Sequence, residues 1–142
     1  MLGQGGSSEL ICYYNLSDKK RSIVHHGDNL TGIDSDTEGQ DDETIDIDLD
    51  SVPVCYDRLF FVYNIYSGQM LSSLKNMYFR IADPESGTTL IDYRLHQGSY
   101  RDSAVVVAMI RREGDGWKIK AIERNAGTID VADFVRHCAR NF

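Results

Sequence analysis

The sequence predicts an all-β protein, an antiparallel β-sandwich with one C-terminal amphipathic helix. Short segments that alternate apolar and polar residues, or that are rich in branched and aromatic residues, recur along the chain with turn residues between them. Only residues 130–142 change to an apolar spacing of three and four, through Val131, Phe134, Val135 and Cys138. Seven or eight short strands and a single helix favour packed antiparallel sheets, with the helix covering an edge or an open end.

The first half of the chain contains three predicted strands, at residues 9–14, 22–26 and 44–49. The first is rich in aliphatic and aromatic side chains and ends at Asn15, before a polar turn. The third alternates strictly as T-I-D-I-D-L, so its apolar residues share one face. This alternation indicates that the acidic segment before it leads into a genuine strand.

The second half contains two segments with almost no charge, residues 58–66 and 103–112. Such segments are typical of central strands that are buried on both faces. In the strand after the second of them, alternation predicts that Trp117, Ile119 and Ala121 face inward. The remaining strands are expected at residues 77–82, 88–95 and 117–123, with one or two helical turns within 67–76.

An acidic stretch, residues 27–50, is the most unusual feature of the sequence. It holds ten carboxylates, at Asp28, Asp34, Asp36, Glu38, Asp41, Asp42, Glu43, Asp46, Asp48 and Asp50. No Lys or Arg lies between Arg21 and Arg58 to neutralise them. A folded loop that gathers several carboxylates must protonate some, expose them to water, or bind a cation.

Two interpretations of the acidic stretch are open, a solvated flexible loop and a calcium loop. Three glycines within the stretch permit the backbone to turn carbonyl groups inward, and Asn29 and Thr31 supply neutral oxygens beside Asp28. Calcium takes roughly six to eight oxygen ligands of these kinds, whereas magnesium prefers few carboxylates and keeps its waters. The residue types therefore favour calcium.

The calcium loop is not expected to be an EF-hand. Residues 34–39, D-S-D-T-E-G, match the first half of that motif, but its twelfth position, which requires a bidentate Glu, is Ile45. A strand follows where the exiting helix should begin. The pattern therefore excludes a helix–loop–helix site.

Length and composition limit the number of domains and the kinds of partner that the sequence predicts. The length of 142 residues predicts a single domain, 1–142, with a flexible Gly/Ser-rich start over 1–8. Outside the acidic stretch, 12 acidic and 15 basic residues leave a small positive balance without a basic stripe, so no nucleic-acid partner is expected. No apolar run reaches the roughly 18 residues of a membrane span, and no signal peptide is evident.

The cysteine pattern indicates a reducing compartment. Cys12, Cys55 and Cys138 are odd in number and widely separated, which argues against a disulfide framework and a zinc site and predicts a cytoplasmic location. No nucleophile elbow, P-loop or dinucleotide fingerprint occurs, so the protein is not expected to be an enzyme. His25 and His26 are interpreted as structural residues at a strand end, not as metal ligands.

The order of several motifs resembles the TerD family of tellurium-resistance and stress-response proteins. G-D-N-L-T-G is followed by D-D-E, then by F-F-V-Y-N-I-Y, R-I-A-D-P-E-S-G-T-T-L and W-K-I-K-A-I, so the likeness covers most of residues 9–142. The resemblance implies a β-sandwich fold, calcium binding, and a role in resistance to tellurite, phage and chemical stress. It implies no defined reaction.

The same resemblance implies which residues would bind calcium. Asp28 and Asn29 are carried over from G-D-N, and Asp41, Asp42 and Glu43 from D-D-E, while Asn15 matches a family Asn near the site. The family has a longer N-terminal region with a D-x-D segment, and only a Gly/Ser stretch precedes Glu9 here. That segment is therefore expected to be missing, which leaves the number of calcium sites open. Asp34 and Asp36 are expected to extend into water.

Two functional hypotheses follow from the sequence. In the first, calcium orders the 27–43 loop, which presents a surface for protein partners. In the second, calcium binding has been lost and the acidic loop is a metal-independent arm for basic partners. Direct binding of tellurite fits poorly, because the acidic loop would repel an oxyanion.

Overall fold

The computed structural model describes residues 1–27, 43–65, 71–73, 77–95, 102–127 and 130–142. The chain divides into two compact units, Met1–Asp57 and Arg58–Phe142. The predicted fold class is confirmed: most elements are β-strands in antiparallel sheets, and one helix lies at the C-terminal end.

The first unit is built around strands β1 (Ile23–His25) and β2 (Ile45–Ile47), which pair antiparallel with His25 opposite Ile45. Residues 15–17 extend this pair on the other side of β1, because Ser17 bridges Val24 and the Leu16 carbonyl accepts the His25 N–H at 2.7 Å. The two strands predicted at residues 22–26 and 44–49 are thus confirmed, with shorter bounds.

The strand predicted at residues 9–14 is wrong. Cys12 and Asn15 exchange backbone hydrogen bonds at 2.9 and 3.0 Å, which closes a tight turn with Tyr13 and Tyr14 at its tip. The Asn15 amide also donates to the Leu10 carbonyl at 2.6 Å. Asn side chains offer the backbone this local alternative to a sheet ladder, and here the alternative prevails over the β propensity of I-C-Y-Y.

The first nine residues, which include the predicted flexible start, fold back on themselves. Leu2 bridges Ser8 and is buried, and the Met1 amino group donates to the Glu9 carbonyl at 2.7 Å. Gly3 lies so close to residue 55 that a Cβ on it would approach the Cys55 carbonyl oxygen to 1.7 Å. Only glycine fits at that position, because the opposing atom is backbone and has little freedom to move.

The second unit contains a three-stranded sheet of β3 (Arg58–Asn64), β6 (Ala104–Glu113) and β7 (Gly116–Gly127), in the order β3-β6-β7. All residues from Ala104 to Ile110 are buried, so both faces of the central strand are covered, as its uncharged sequence predicts. The other two strands, β4 (Tyr78–Ala82) and β5 (Thr89–Arg94), form an antiparallel pair of their own.

The two sheets of the second unit share one hydrophobic core, as expected for packed antiparallel sheets. Their shared core consists of the buried residues Leu71, Met77, Leu95, Val105 and Val107, with Phe61, Tyr63, Ile65 and Phe79 packed against them. The rings of Phe61 on β3 and Phe79 on β4 are 5.6 Å apart, and the Tyr63 hydroxyl donates to the Tyr78 carbonyl. Aromatic contact and a hydrogen bond therefore join the sheets directly.

The inward face of β7 differs in one place from the prediction. Trp117 and Ile119 are half-buried as expected, but Ala121 is exposed and Ile122 is half-buried instead. The register with β6 shifts between Val106 and Ala108, and Glu123 has a left-handed φ of 49°. The extra residue lies after Ala121, so it changes the faces of β7 from Ile122 onward, which simple alternation does not reveal.

The predicted C-terminal helix is confirmed as α1 (Phe134–Asn141), preceded by one 3₁₀ turn at Val131–Asp133. Phe134 and Cys138 are buried, at the four-residue spacing that the sequence predicts. Just beyond the helix, the Phe142 ring lies 5.5 Å from the Phe60 ring and beneath the Arg124 guanidinium. Within the described residues, no helix is long and apolar enough to cross a membrane.

Candidate metal site

Three chain segments lie side by side in the first unit, next to the two ends of residues 27–43. The His25 N–H donates to the Leu16 carbonyl at 2.7 Å, and the His26 N–H donates to the Thr44 carbonyl at 3.0 Å. Asn15 directly precedes Leu16, and Glu43 directly precedes Thr44. The strand pairing therefore holds the two ends of the 27–43 segment next to each other.

His25 fixes the direction in which the chain leaves β1. Its side chain is 7% exposed, and its Nδ1 accepts the Gly27 N–H at 2.9 Å. An accepting Nδ1 carries no proton, so this contact requires the Nε2–H tautomer of the ring. Gly27 has φ of 100°, a conformation that favours glycine, and Asp28 follows it at once.

His26 makes a second contact at the same end of the hairpin. Its Nε2 lies 2.8 Å from the Asp46 carboxylate, and both side chains are largely exposed. Both histidines thus have the structural partners that the sequence interpretation expects of residues at a strand end. Since Asp46 is exposed, its pair with His26 contributes little to the free energy of unfolding.

The predicted calcium ligands fall into two groups. Asp28, Asn29, Asp41 and Asp42 lie outside the described residues, as do Asp34 and Asp36, while Asn15 and Glu43 lie within them. The Asn15 amide nitrogen is engaged by the Leu10 carbonyl, which leaves its Oδ1 as the atom able to coordinate a cation. Glu43 is exposed. Among the described residues, no three His, Cys, Asp or Glu side chains are grouped closely enough to hold a metal ion.

Two aspartates have structural roles that the sequence analysis missed. Asp18 is 2% exposed and accepts hydrogen bonds from the Ile23 N–H at 2.8 Å and the Ser22 hydroxyl at 3.0 Å. Burial alone would raise the pKa of Asp18, but these hydrogen bonds and one from the Lys20 N–H outweigh it and lower that pKa. The carboxylate closes the turn between residues 17 and 23.

Asp48 caps the turn that ends the acidic stretch. It accepts the Ser51 hydroxyl at 2.6 Å and the Asp50 N–H at 3.2 Å. The hydrogen bond from Ser51 is the main reason that the pKa of Asp48 is lowered. Asp83 and Ser86 form the same contact in the β4–β5 turn. The shared D-x-x-S spacing is the sequence signal that separates these capping aspartates from candidate ligands.

The electrostatic surroundings of the site are strongly negative. The first unit contains 13 acidic and three basic residues, whereas the second contains nine acidic and 12 basic residues. The three basic residues, Lys19, Lys20 and Arg21, all belong to the Asp18 turn. The acidic surplus of the chain is therefore confined to the unit that holds the candidate site.

The cysteines do not form a disulfide in the structure. Cys12 is half-buried, Cys55 is exposed and Cys138 is buried. Burial raises the pKa of the Cys138 thiol to about 11, so this side chain is a protonated, unreactive thiol at neutral pH.

Comparison with known proteins gives the family. The model of the TerD domain matches residues 3–135, which includes most of both compact units. The chain is 34% identical to the stress response protein SCP2 of Bacillus subtilis (strain 168). The 130 aligned residues cover 89% of this chain and 63% of the relative. It is 30% identical over 122 residues to the tellurium resistance protein TerD of Serratia marcescens, covering 82% of this chain and 61% of that protein.

A third relative is matched over more of its own length. The chemical-damaging agent resistance protein B of Clostridium acetobutylicum is 36% identical over 118 residues, or 80% of this chain and 82% of the relative. The chain spans about three fifths of the length of the SCP2 and TerD relatives. These relatives are named for resistance and stress response, not for a reaction. With a family model matched over nearly its whole length, this chain belongs to the TerD domain family.

Proposed function

We propose that this protein binds calcium within residues 27–43 and acts in the response to tellurite or chemical stress as a calcium-dependent protein-interaction module. One observation carries the proposal. The pairing of β1 and β2 brings the two ends of residues 27–43 together, through the His26–Thr44 hydrogen bond of 3.0 Å. The motifs G-D-N and D-D-E are distant in sequence, yet the first carboxylate after His26 is two residues away and the last before Thr44 is one residue away.

Chain geometry supports a shared site for the two motifs. Consecutive Cα atoms are about 3.8 Å apart, so two residues of chain reach at most about 8 Å, from His26 to Asp28 and from Thr44 to Asp42. Carboxylates that share a site repel one another and raise each other's pKa values unless a cation neutralises them. Calcium suits the set, since Asp28, Asp41, Asp42 and Glu43 offer carboxylate oxygens and Asn29 offers an amide oxygen.

Asn15 completes the proposed set from the opposite side of β1. Its backbone is held by Cys12 and its amide nitrogen by Leu10, so the remaining Oδ1 has a restricted orientation. An amide oxygen that is held in place loses little conformational freedom on coordination. When bound, calcium would supply positive charge that offsets the acidic surplus of the first unit.

The test is a calcium titration of the chain by calorimetry, together with thermal unfolding with and without calcium. We expect measurable heat and a higher melting temperature, because a ligand that binds only the folded state stabilises it by about 2.7 kcal/mol at a hundredfold excess over Kd. Magnesium at the same concentration should have a smaller effect. No heat and an unchanged melting temperature with calcium would refute the binding proposal.

The cellular role rests on the relatives, which are named for tellurium resistance and stress response. A strain that lacks this protein should become more sensitive to tellurite or to a chemical damaging agent. The wild-type chain should restore growth, and a chain with Asp42→Asn should restore it less. Equal rescue by both chains would separate the stress role from calcium binding.

A metal-independent interaction module is the second candidate. It is favoured by the His26–Asp46 contact of 2.8 Å, in which a carboxylate of the acidic stretch finds a histidine partner within the protein itself. In this case residues 33–40 should have the same mobility with and without calcium. Binding to basic partners should then weaken with salt and not respond to calcium.

A further inference from the structure

Four large apolar side chains are exposed in the first unit, on the segments that pair beside the two ends of residues 27–43. They are Tyr13 at 55% exposed, Tyr14 at 58%, Leu16 at 45% and Ile45 at 39%. Single exposed apolar residues are ordinary on protein surfaces, but several of them within a short distance favour an interaction site. We call these four residues the apolar rim.

The backbone connects the members of the apolar rim. Tyr13 and Tyr14 occupy the tip of the Cys12–Asn15 turn, where their rings meet edge to face at 5.0 Å. Leu16 follows that turn, and its carbonyl accepts the His25 N–H, while His25 pairs with Ile45 across the ladder. Since neighbouring strands are about 4.8 Å apart, the Leu16 and Ile45 backbones are separated by about 10 Å.

The rim is well ordered for a binding surface. The turn that carries the tyrosines is closed by two backbone hydrogen bonds and by the Asn15 side chain. Two packed aromatic rings present a large contact area at a small cost in side-chain entropy, because each has only two side-chain torsions. A partner would therefore meet a preformed surface.

The charge around the rim defines the partner's chemistry. Glu43 lies two residues before Ile45 and Asp46 directly after it, on the other face of β2; both are exposed, as are Asp48 and Asp50 further along the same segment. The first unit as a whole has 13 acidic residues against three basic ones. An apolar surface inside such a negative field attracts a segment with aliphatic or aromatic residues and Lys or Arg, and repels an acidic one.

We propose that the apolar rim, with the carboxylates beside it, is a docking surface for a basic, apolar peptide segment of a partner protein. The proposal deepens the interaction role proposed above and rests on it, since it names the surface and the class of partner. Apolar contact with the rim supplies affinity, and the carboxylates select for positive charge.

The test uses three short synthetic peptides of equal length, with binding followed by fluorescence anisotropy at physiological salt. One alternates Leu and Lys, the second alternates Ser and Lys, and the third alternates Leu and Glu. We expect the Leu/Lys peptide to bind at least about tenfold more tightly than either of the others. Equal binding of the Leu/Lys and Ser/Lys peptides would mean that charge alone acts, and would overturn the proposal.

Variants then locate the surface. The double variant Tyr14→Ser, Leu16→Ser should weaken binding of the Leu/Lys peptide by about tenfold or more, since it removes half of the rim. Leu90→Ser is the matched control, because Leu90 is 52% exposed and belongs to the second unit. Unchanged affinity in the double variant, or an equal loss in the control, would contradict the docking site. Circular dichroism confirms that each variant is folded.

A calcium titration of the same double variant separates this proposal from the proposed function. The rim residues are not among the proposed ligands, so the calorimetric response to calcium should be unchanged. Absent calcium binding in the wild-type chain with intact peptide binding would refute the calcium site and leave the docking surface standing. Intact calcium binding without peptide selectivity would refute the docking surface and leave the calcium site standing.

Discussion

At the scale of single residues, the acidic stretch contains aspartates with different tasks. Asp48 is held by the Ser51 hydroxyl and caps a turn, and Asp46 contacts His26. Those contacts assign these two carboxylates to the hairpin itself, whereas Asp28, Asp41 and Asp42 belong to the two motifs at the proposed calcium site. A carboxylate in the stretch is therefore not automatically a ligand.

The first prediction compares two carboxylates of the same stretch. Asp42→Ala should lower the calcium affinity by at least about tenfold, because it removes a charged ligand. Asp50→Ala is the matched control, since Asp50 is exposed and lies beyond β2. Calorimetric titration of both variants measures the difference, and equal affinities would show that the site has been assigned to the wrong residues.

The second prediction concerns Asp18, whose pKa is lowered from an ordinary value of 3.8. A carboxyl with a lowered pKa in the folded state stabilises the protein above its ordinary pKa, and this stabilisation is lost as the pH falls through the folded-state value. Asp18→Asn should therefore reduce the free energy of unfolding at neutral pH by about 1–3 kcal/mol. It should also flatten the dependence of that free energy on pH below about 4.

Denaturant unfolding of the wild-type chain and Asp18→Asn across the acidic range measures both effects. Asp48, Asp83 and Glu113 also have lowered pKa values, so the difference between the two chains isolates the Asp18 contribution. Parallel curves for the two chains would mean that the buried carboxylate does not contribute to the pH dependence.

At the scale of elements, the sequence predicts what depends on periodicity and misses what depends on local hydrogen bonds. The uncharged run of β6 and the helical spacing of α1 carry their burial pattern in the order of residue types, whereas the alternating run of β2 predicts its strand but not the exposure of Ile45. The turn at Asn15 replaces a predicted strand because one amide side chain binds Leu10, and the register of β7 shifts between Ala121 and Arg124, where Ile122 is half-buried. Neither feature has a periodic signal.

The third prediction tests how α1 is attached to its unit. Cys138 is buried and its pKa is raised to about 11, so a thiol reagent at neutral pH should modify it far more slowly than the exposed Cys55. Phe142→Ala removes the ring that packs 5.5 Å from Phe60, which should loosen the helix and speed the modification of Cys138.

Arg140→Ala is the control for this experiment, since Arg140 is an exposed residue of the same helix. Modification followed by mass spectrometry separates the cysteines. Equal rates for Cys138 in the two variants would show that the Phe142 contact does not hold the helix in place.

At the scale of the whole molecule, the acidic residues are concentrated in one of two compact units. The sequence identifies the acidic stretch and, through its resemblance to the TerD family, the motifs within it, and family membership is confirmed. The order of residues does not reveal that residues 25 and 26 bond to Leu16 on one side and to Thr44 on the other, because that proximity depends on strand pairing. The ligand set and the bound ion remain predictions.

Nuclear magnetic resonance of the ¹⁵N-labelled chain during a calcium titration tests the central claim most directly. We predict saturable shifts of the backbone amides within residues 27–43 and of the Asn15 side-chain amide, with little change at Asp50 and in the second unit. Shifts that are absent, or that spread evenly over all exposed carboxylates without saturating, would contradict a calcium site between the two motifs.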